Sequence, residues 1–289
     1  LNYINDDKLF TEQNNTTNLS DANGRAIWAL GYLISFDDIL PLVLIKNAEL
    51  ILQEALLQIN TMHATRAMAF VIKGIYYYNL KKKSDRNAYL LAALADRLVQ
   101  MYKHESVDEW AWFESYLTYA NSVLPEAMLC AYLETGNDTY KEIALTSLDF
   151  LLYHTFSNDG IKVISNKSWL QKGEASANFG EQPIDVAYTI LCLSRFYDAF
   201  GNKEYLQKME LAFDWFLGKN HLHQIIYNPC TGGCYDGLEE NYVNLNQGAE
   251  STVSYLMARL TVEKYLHSSQ KKSALSIPFL KLNEEVFLA

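Results

Sequence analysis

Proline and glycine are scarce in this chain, at 5 and 13 of 289 residues. A fold built on many tight hairpins is thereby excluded, and long helices are easy to form. Cysteine is scarce as well: four residues give no disulfide framework at this size. A reducing cytoplasm is therefore the default compartment. No run reaches about 18 consecutive apolar residues, so no membrane partner is expected. Nor is there a long basic run, and the net charge is −10. Nucleic acid normally meets a basic face, so it is not expected as a partner. The Lys81-Lys82-Lys83 triplet reads as a solvated turn between helices. A Walker loop, a dinucleotide fingerprint and a Gly-x-Ser-x-Gly elbow are all missing, and Gly232-Gly233 reads as a turn. No cofactor is expected. The first ten residues are polar and acidic and do not read as a signal peptide. The chain does not begin with Met, so a trimmed chain or part of a longer one is expected.

What is present is apolar and aromatic. Hydrophobic residues make up 49% of the chain and aromatics 13%, with 20 Tyr and 5 Trp. Such rings fill cores, and they also line pockets that stack on sugar faces. Cys130 and Cys192 fall inside apolar helical patterns and read as buried thiols. Cys230 and Cys234 flank a Thr-Gly-Gly turn, with His221 and His223 upstream. Two His and two Cys can hold zinc, but these spacings depart from the usual fingers. They are read as loop residues, with no metal.

Residues 1–20 are rich in Asn, Thr and Asp and read as an arm. Helical spacing then marks 21–36, a second helix to about 60, 61–79, 84–104, 118–134, 139–153, 184–200, 203–217 and 247–266. Residues 157–174 alternate weakly, which predicts a small β-hairpin near 160–172. Residues 219–246 form a long loop. Residues 267–289 are expected to be a tail packed on the domain, with Pro278 arguing against one helix through it.

A unit recurs along 21–60, 61–104, 117–155 and 184–218, with a half unit at 247–266. Each unit is a strongly apolar helix, a short turn and an amphipathic helix. Periods of this size mark helical repeats. An open solenoid is one outcome. A closed ring of hairpins, with the apolar helices inside, is favoured. The long loops all follow the outer type of helix, so they gather at the starts of the inner ones.

Chemistry concentrates on those loops. Gly180-Glu181-Gln182-Pro183-Ile184-Asp185 places two carboxylates across a helix start. Pro183 suits the first turn, and Asp185 then meets the positive helix end. Plain N-terminal capping is the competing explanation.

Several segments together resemble the six-hairpin glycosidase-like proteins that occur beside, or fused to, bacterial glycosyltransferases. They are Asp21-Ala22-Asn23-Gly24-Arg25-Ala26-Ile27-Trp28, Trp112-Phe113-Glu114, Leu117-Thr118-Tyr119-Ala120-Asn121 with Leu124-Pro125-Glu126-Ala127, the 180–185 stretch, Thr231-Gly232-Gly233-Cys234-Tyr235-Asp236-Gly237, and Asn246-Gln247-Gly248-Ala249-Glu250-Ser251-Thr252. The resemblance spans about 21–266. It implies an all-α (α/α)6 toroid with a sugar site at the inner-helix N-termini. Four and a half hairpins are counted rather than six, so an incomplete toroid is also expected. Fold does not fix function.

In such a ring Asp21 with Arg25, Glu114, and Glu181 with Asp185 converge. Glycoside hydrolysis needs one acid for the leaving oxygen and one carboxylate for water or the sugar. Asp185 and Glu181 are the first candidates, with Glu114 or Asp21 opposite. Arg25 is expected to pair with Asp21 or to grip a sugar anion. Trp28 reads as core. Trp110, Trp112 and Phe113, on a loop, are stacking candidates. Tyr119, Asn121 and Gln182 are expected near sugar hydroxyls, and Asn121 also as a backbone partner. Asp236, Tyr242 and Asn246 sit on the covering loop, and Gln247 and Glu250 start the last inner helix. The reading is thus a glycoside hydrolase-like protein acting on a mono- or oligosaccharide. A non-catalytic sugar-binding domain working with a glycosyltransferase is the alternative. An N-acylglucosamine 2-epimerase-like isomerase ranks third, because such chemistry leans on His and no His is expected at an inner-helix start.

Overall fold

The computed structural model describes residues 3–270. Its helices are α1 (Gln13–Thr16), α2 (Ser20–Ile34), α3 (Leu42–Leu56), α4 (Thr65–Asn79), α5 (Asp85–Glu105), α6 (Val123–Thr135), α7 (Asp138–Thr155), α8 (Pro183–Phe200), α9 (Lys203–Asp214) and α10 (Ala249–Gln270). Local chemistry sets their ends. Ser84, Asn137 and Asn202 accept backbone N–H bonds at the starts of α5, α7 and α9. Gly136 and Gly201 close α6 and α8 in the left-handed conformation.

The helices α2, α4, α6, α8 and α10 pack side by side in that order, and α3, α5, α7 and α9 lie outside them. The burial pattern explains the two roles. Every residue of α4 from Thr65 to Tyr77 is buried, whereas α5 buries one stripe that includes Leu91, Leu94 and Leu98. The result is a toroid of helical hairpins, incomplete among the described residues. Its two ends, α2 and α10, face each other across a cleft lined by both. No described helix is long and apolar enough to cross a membrane.

Backbone contact makes the α2–α4 seam. A Cβ at Gly31 would collide with the carbonyl of Gly74, and one at Gly74 would lie 2.5 Å from the Ile27 carbonyl oxygen. Only hydrogen fits between these helices. Deeper inside the ring, Lys73 of α4 meets Glu126 of α6 at 2.6 Å, with both side chains buried. The Lys73 ammonium also sits 3.9 Å from the centroid of the Trp28 ring.

Strand content is confined to two-residue pairs: β1 (Tyr116–Leu117) with β4 (Leu170–Gln171), β2 (Phe156–Ser157) with β3 (Gly160–Ile161), and β5 (Gly237–Leu238) with β6 (Val243–Asn244). The hairpin expected near 160–172 is therefore divided. Its first strand turns back on β2 and its last crosses to β1. The backbone between them is already committed: Lys162 N–H donates to Thr155 and Asn166 N–H to Gly180, at 2.7 and 2.9 Å. In the expected arm, Ile4 bridges to Phe10 and the Asn14 amide side chain holds both backbone groups of Tyr3. The expected tail packing falls, beyond residue 270, outside the described residues.

Candidate active site

The first turns of α2 and α4 and the 114–119 segment before α6 surround a cavity of about 380 Å³. Asp21, His63, Thr65, Arg66, Glu114, Tyr116, Tyr119 and Trp169 line it. Arg66, near the start of α4, organises the floor. Its Nη1 donates to Glu114 Oε2 at 2.8 Å, its Nε to the Tyr119 carbonyl at 2.6 Å, and its Nη2 to Asn121 Oδ1 at 3.1 Å. Thr65 Oγ1 donates to the other Glu114 oxygen in a short bond. Glu114 thus spends both oxygens on α4. A carboxylate held by a guanidinium and a hydroxyl is a rigid acceptor rather than a free base.

Behind Tyr119 the chain is strained. Ala120 has φ +49°, a left-handed conformation that a side chain disfavours. Three contacts hold it there. The Asn121 side chain bridges the Thr118 N–H and C=O, at 2.9 and 2.7 Å. Arg66 takes the Tyr119 carbonyl. Asp185, in the first turn of α8, accepts the Ala120 N–H at 2.5 Å. Burial pushes the Asp185 carboxyl up to about 7, against the pull of that bond and of Arg66.

On the opposite side, Arg25 donates to Asp21 Oδ2 at 2.7 Å and to the Tyr188 hydroxyl at 2.6 Å. Asp21 Oδ1 is buried and has no hydrogen-bond partner among the described residues. Glu250, in the first turn of α10, lies within electrostatic reach of Arg25, Tyr188 and Asp185. Asp21, Arg25, Tyr188, Asp185 and Glu250 therefore form one charge network, joined through Arg66 to Glu114. Glu181 stands apart from it. Its Oε2 accepts from Trp215 Nε1 at 3.0 Å, its Oε1 lies 3.6 Å from His221 Nδ1, and its backbone bridges to Leu238. Burial raises this carboxyl to about 7 as well.

Several sequence-selected residues lie elsewhere. Trp112 is fully buried and Trp110 nearly so, hence neither can take a sugar face. The 110–114 loop folds back into the core, with Trp110 Nε1 donating to the Glu114 carbonyl at 2.7 Å. At the rim the exposed Trp169 stacks on the half-buried Tyr116, with ring centroids 6.3 Å apart and planes at 29°. Trp169 has φ +56° and is 42% exposed, an unfavourable place for a large apolar ring unless it is used. Asn121 is spent on Arg66 and Thr118. Asp236 accepts from Gly248 N–H at 2.7 Å and, in a short bond, from the Asn246 amide. Burial would raise Asp236, but bonds from Ser251, Gly248 and Asn246 outweigh it and hold its pKa down. Asp236 and Asn246 therefore tie the loop before α10, and Gln247 accepts from Thr231 at 2.5 Å. Tyr242 projects from the β5–β6 turn, 62% exposed. Gln182 occupies the N-cap of α8 without a side-chain cap bond.

Sequence reading missed His63, Thr65, Arg66, Tyr116 and Trp169. The expectation that no His meets an inner-helix start is corrected: His63 precedes α4 and lines the cavity. Its position two residues before Thr65, at a helix start already expected near Thr61 and Thr65, was the available signal. Among the described residues no group of three or more His, Cys, Asp or Glu is placed to hold a metal ion.

No family model matches the sequence, and no curated protein sequence matches it. Solved structures do. A sugar epimerase from a ruminal bacterium superposes with a TM-score of 0.59 at 15% identity, over 87% of this chain and 73% of that one. The fold is the helical-hairpin toroid. A GH76 alpha-mannanase from Bacteroides thetaiotaomicron gives a TM-score of 0.58 at 13% identity, over 86% of this chain and 70% of that one. An unsaturated glucuronyl hydrolase specific for heparin gives 0.56 at 10% identity, over 86% and 87%. At these identities the likeness speaks for the toroid alone.

Proposed function

We propose that this protein is carbohydrate-active and glycoside hydrolase-like, taking a mono- or oligosaccharide at the inner-helix N-terminal end. One observation carries the reading: Asp21, Arg66 and Glu114 line one cavity under the Tyr116–Trp169 pair. Carboxylates, a guanidinium and an aromatic face are what a sugar ring needs for orientation. In this reading Asp185, raised to about 7, carries a proton at neutral pH and gives it to the leaving oxygen as the glycosidic C–O bond breaks. Asp21, ion-paired with Arg25, takes a proton from water as the water oxygen bonds to the anomeric carbon. Glu181, raised for the same reason, is the second candidate acid. The likeness to a sugar epimerase, a mannanase and a glucuronyl hydrolase supports a sugar as the substrate class.

Incubation with a panel of aryl glycosides and oligosaccharides tests it, with products read by chromatography. Turnover of at least one panel member is expected, falling about 100-fold or more in Asp21→Asn and Asp185→Asn with melting temperature nearly unchanged. Full activity in both variants would remove the assignment. A non-catalytic sugar-binding domain working with a glycosyltransferase is the second reading, favoured by the commitment of both Glu114 oxygens. Saturable oligosaccharide binding without product would select it. His63 at the cavity restores the isomerase reading to consideration; interconversion of epimers without hydrolysis, lost in His63→Gln, would select that one.

A further inference from the structure

A second cavity, of about 500 Å³, opens in the cleft between α2 and α10. Trp28, Leu33, Leu191 and Met257 give it apolar walls. Tyr32 and Leu260, which also line it, remain 46% and 67% exposed. Burial of such surface by a ligand is favourable by the ordinary hydrophobic term.

Its charges do not balance. Arg25 is paired with Asp21, and Lys264 with Asp198 at 2.9 Å. The remaining charged groups of the lining are Glu126 and Arg195. Lys73 and Glu126 neutralise each other. Arg195 has no carboxylate within ion-pair distance among the described residues. Its Nη2 donates to the Tyr77 hydroxyl in a short bond, and its guanidinium carbon lies 5.0 Å from the centroid of that ring. The Tyr77 phenol is itself pushed far up by burial, so it stays neutral and supplies no countercharge. Arg195 Nε is buried and donates to nothing among the described residues. Glu126 also acts on Arg195 from beyond ion-pair distance, but it is already bonded to Lys73; an Arg195 donor is thus left unpaired beside an apolar cavity, and such a donor is costly.

We propose that this cleft binds a single-chain amphiphile with an anionic head, its head on Arg195 and its chain along α2 and α10. The proposal is independent of the carbohydrate reading.

Decanoate is the probe, with decanol as its uncharged match, titrated calorimetrically into the full chain. Saturable binding of one decanoate is expected, about 10-fold or more tighter than decanol, since a charge-assisted hydrogen bond is worth about that factor. Arg195→Met should bring decanoate down to the decanol level with an unchanged far-ultraviolet spectrum. Leu260→Gln, at the exposed rim, should weaken both probes together and leave their ratio as it was. Equal affinity of the two probes for the unaltered protein overturns the proposal without any variant. So does absence of saturable binding, or undiminished decanoate binding by folded Arg195→Met.

Discussion

Glu126 and the pair Glu181 and Asp185 are all buried carboxylates, and they are buried differently. Glu126 lies in the middle of the ring with an ammonium 2.6 Å away. Glu181 has an indole N–H on one oxygen, and Asp185 a backbone N–H on Oδ1. All three are removed from water, but only Glu126 has a Lys or Arg cation in contact, whereas Glu181 has a histidine ring 3.6 Å away. A paired carboxylate serves as a fixed strut. A carboxyl raised to about 7 changes its charge near neutral pH and can trade protons. The comparison separates a paired carboxylate inside the ring from two buried carboxyls beside the starts of its helices.

The largest effect should come from breaking the strut. Glu126→Gln leaves Lys73 buried and unpaired, and should destabilise by about 3–5 kcal/mol in urea unfolding. Replacing both partners, Lys73→Met with Glu126→Leu, should recover most of that loss. A single variant within 1 kcal/mol of the parent, on the order of an exposed ion pair, would erase the distinction.

Next comes the pH dependence of Glu181. Its folded pKa is raised from 4.5 to about 7, so the folded state holds the proton more tightly than the unfolded chain does. The stability it contributes is full below about pH 4.5 and is lost as pH rises through about 7, at most about 3 kcal/mol in all. Glu181→Gln should therefore gain on the parent across that window. Parallel stability curves from pH 4.5 to 8 would count against a raised pKa.

The smallest effect separates two replacements of Asp185. Its contact with the Ala120 N–H needs only an acceptor. Asp185→Asn should stay within about 1 kcal/mol of the parent, whereas Asp185→Ala should lose about 1–3 kcal/mol for an orphaned donor beside a strained residue. Equal losses in both would show that the charge, rather than the acceptor, holds the loop.

The hairpin units were legible because apolar faces and turn signals are local properties. Thus α2 through α9 fall where periodicity marks them, and Pro183 does start α8. The carboxylates on the inner-helix starts were legible for the same reason. Their partners were not. Arg66 sits in a run that reads as uniformly apolar, and its three contacts are 48 to 55 residues away. Trp112 was misjudged because a loop usually lies at the surface. Here the loop turns inward, and its ring closes on Phe113 and Phe150. Trp169 was overlooked because exposure depends on which strand its neighbours join.

The seam between Gly31 and Gly74 has a consequence for ligand size. Where a methyl group would already collide, the two helix axes approach as closely as backbones allow. A chain with any larger residue at position 31 would have to splay that pair, and the bore enclosed by the inner helices would widen with it. The calibre of what this ring admits is therefore set in part by a hydrogen atom remote from either opening.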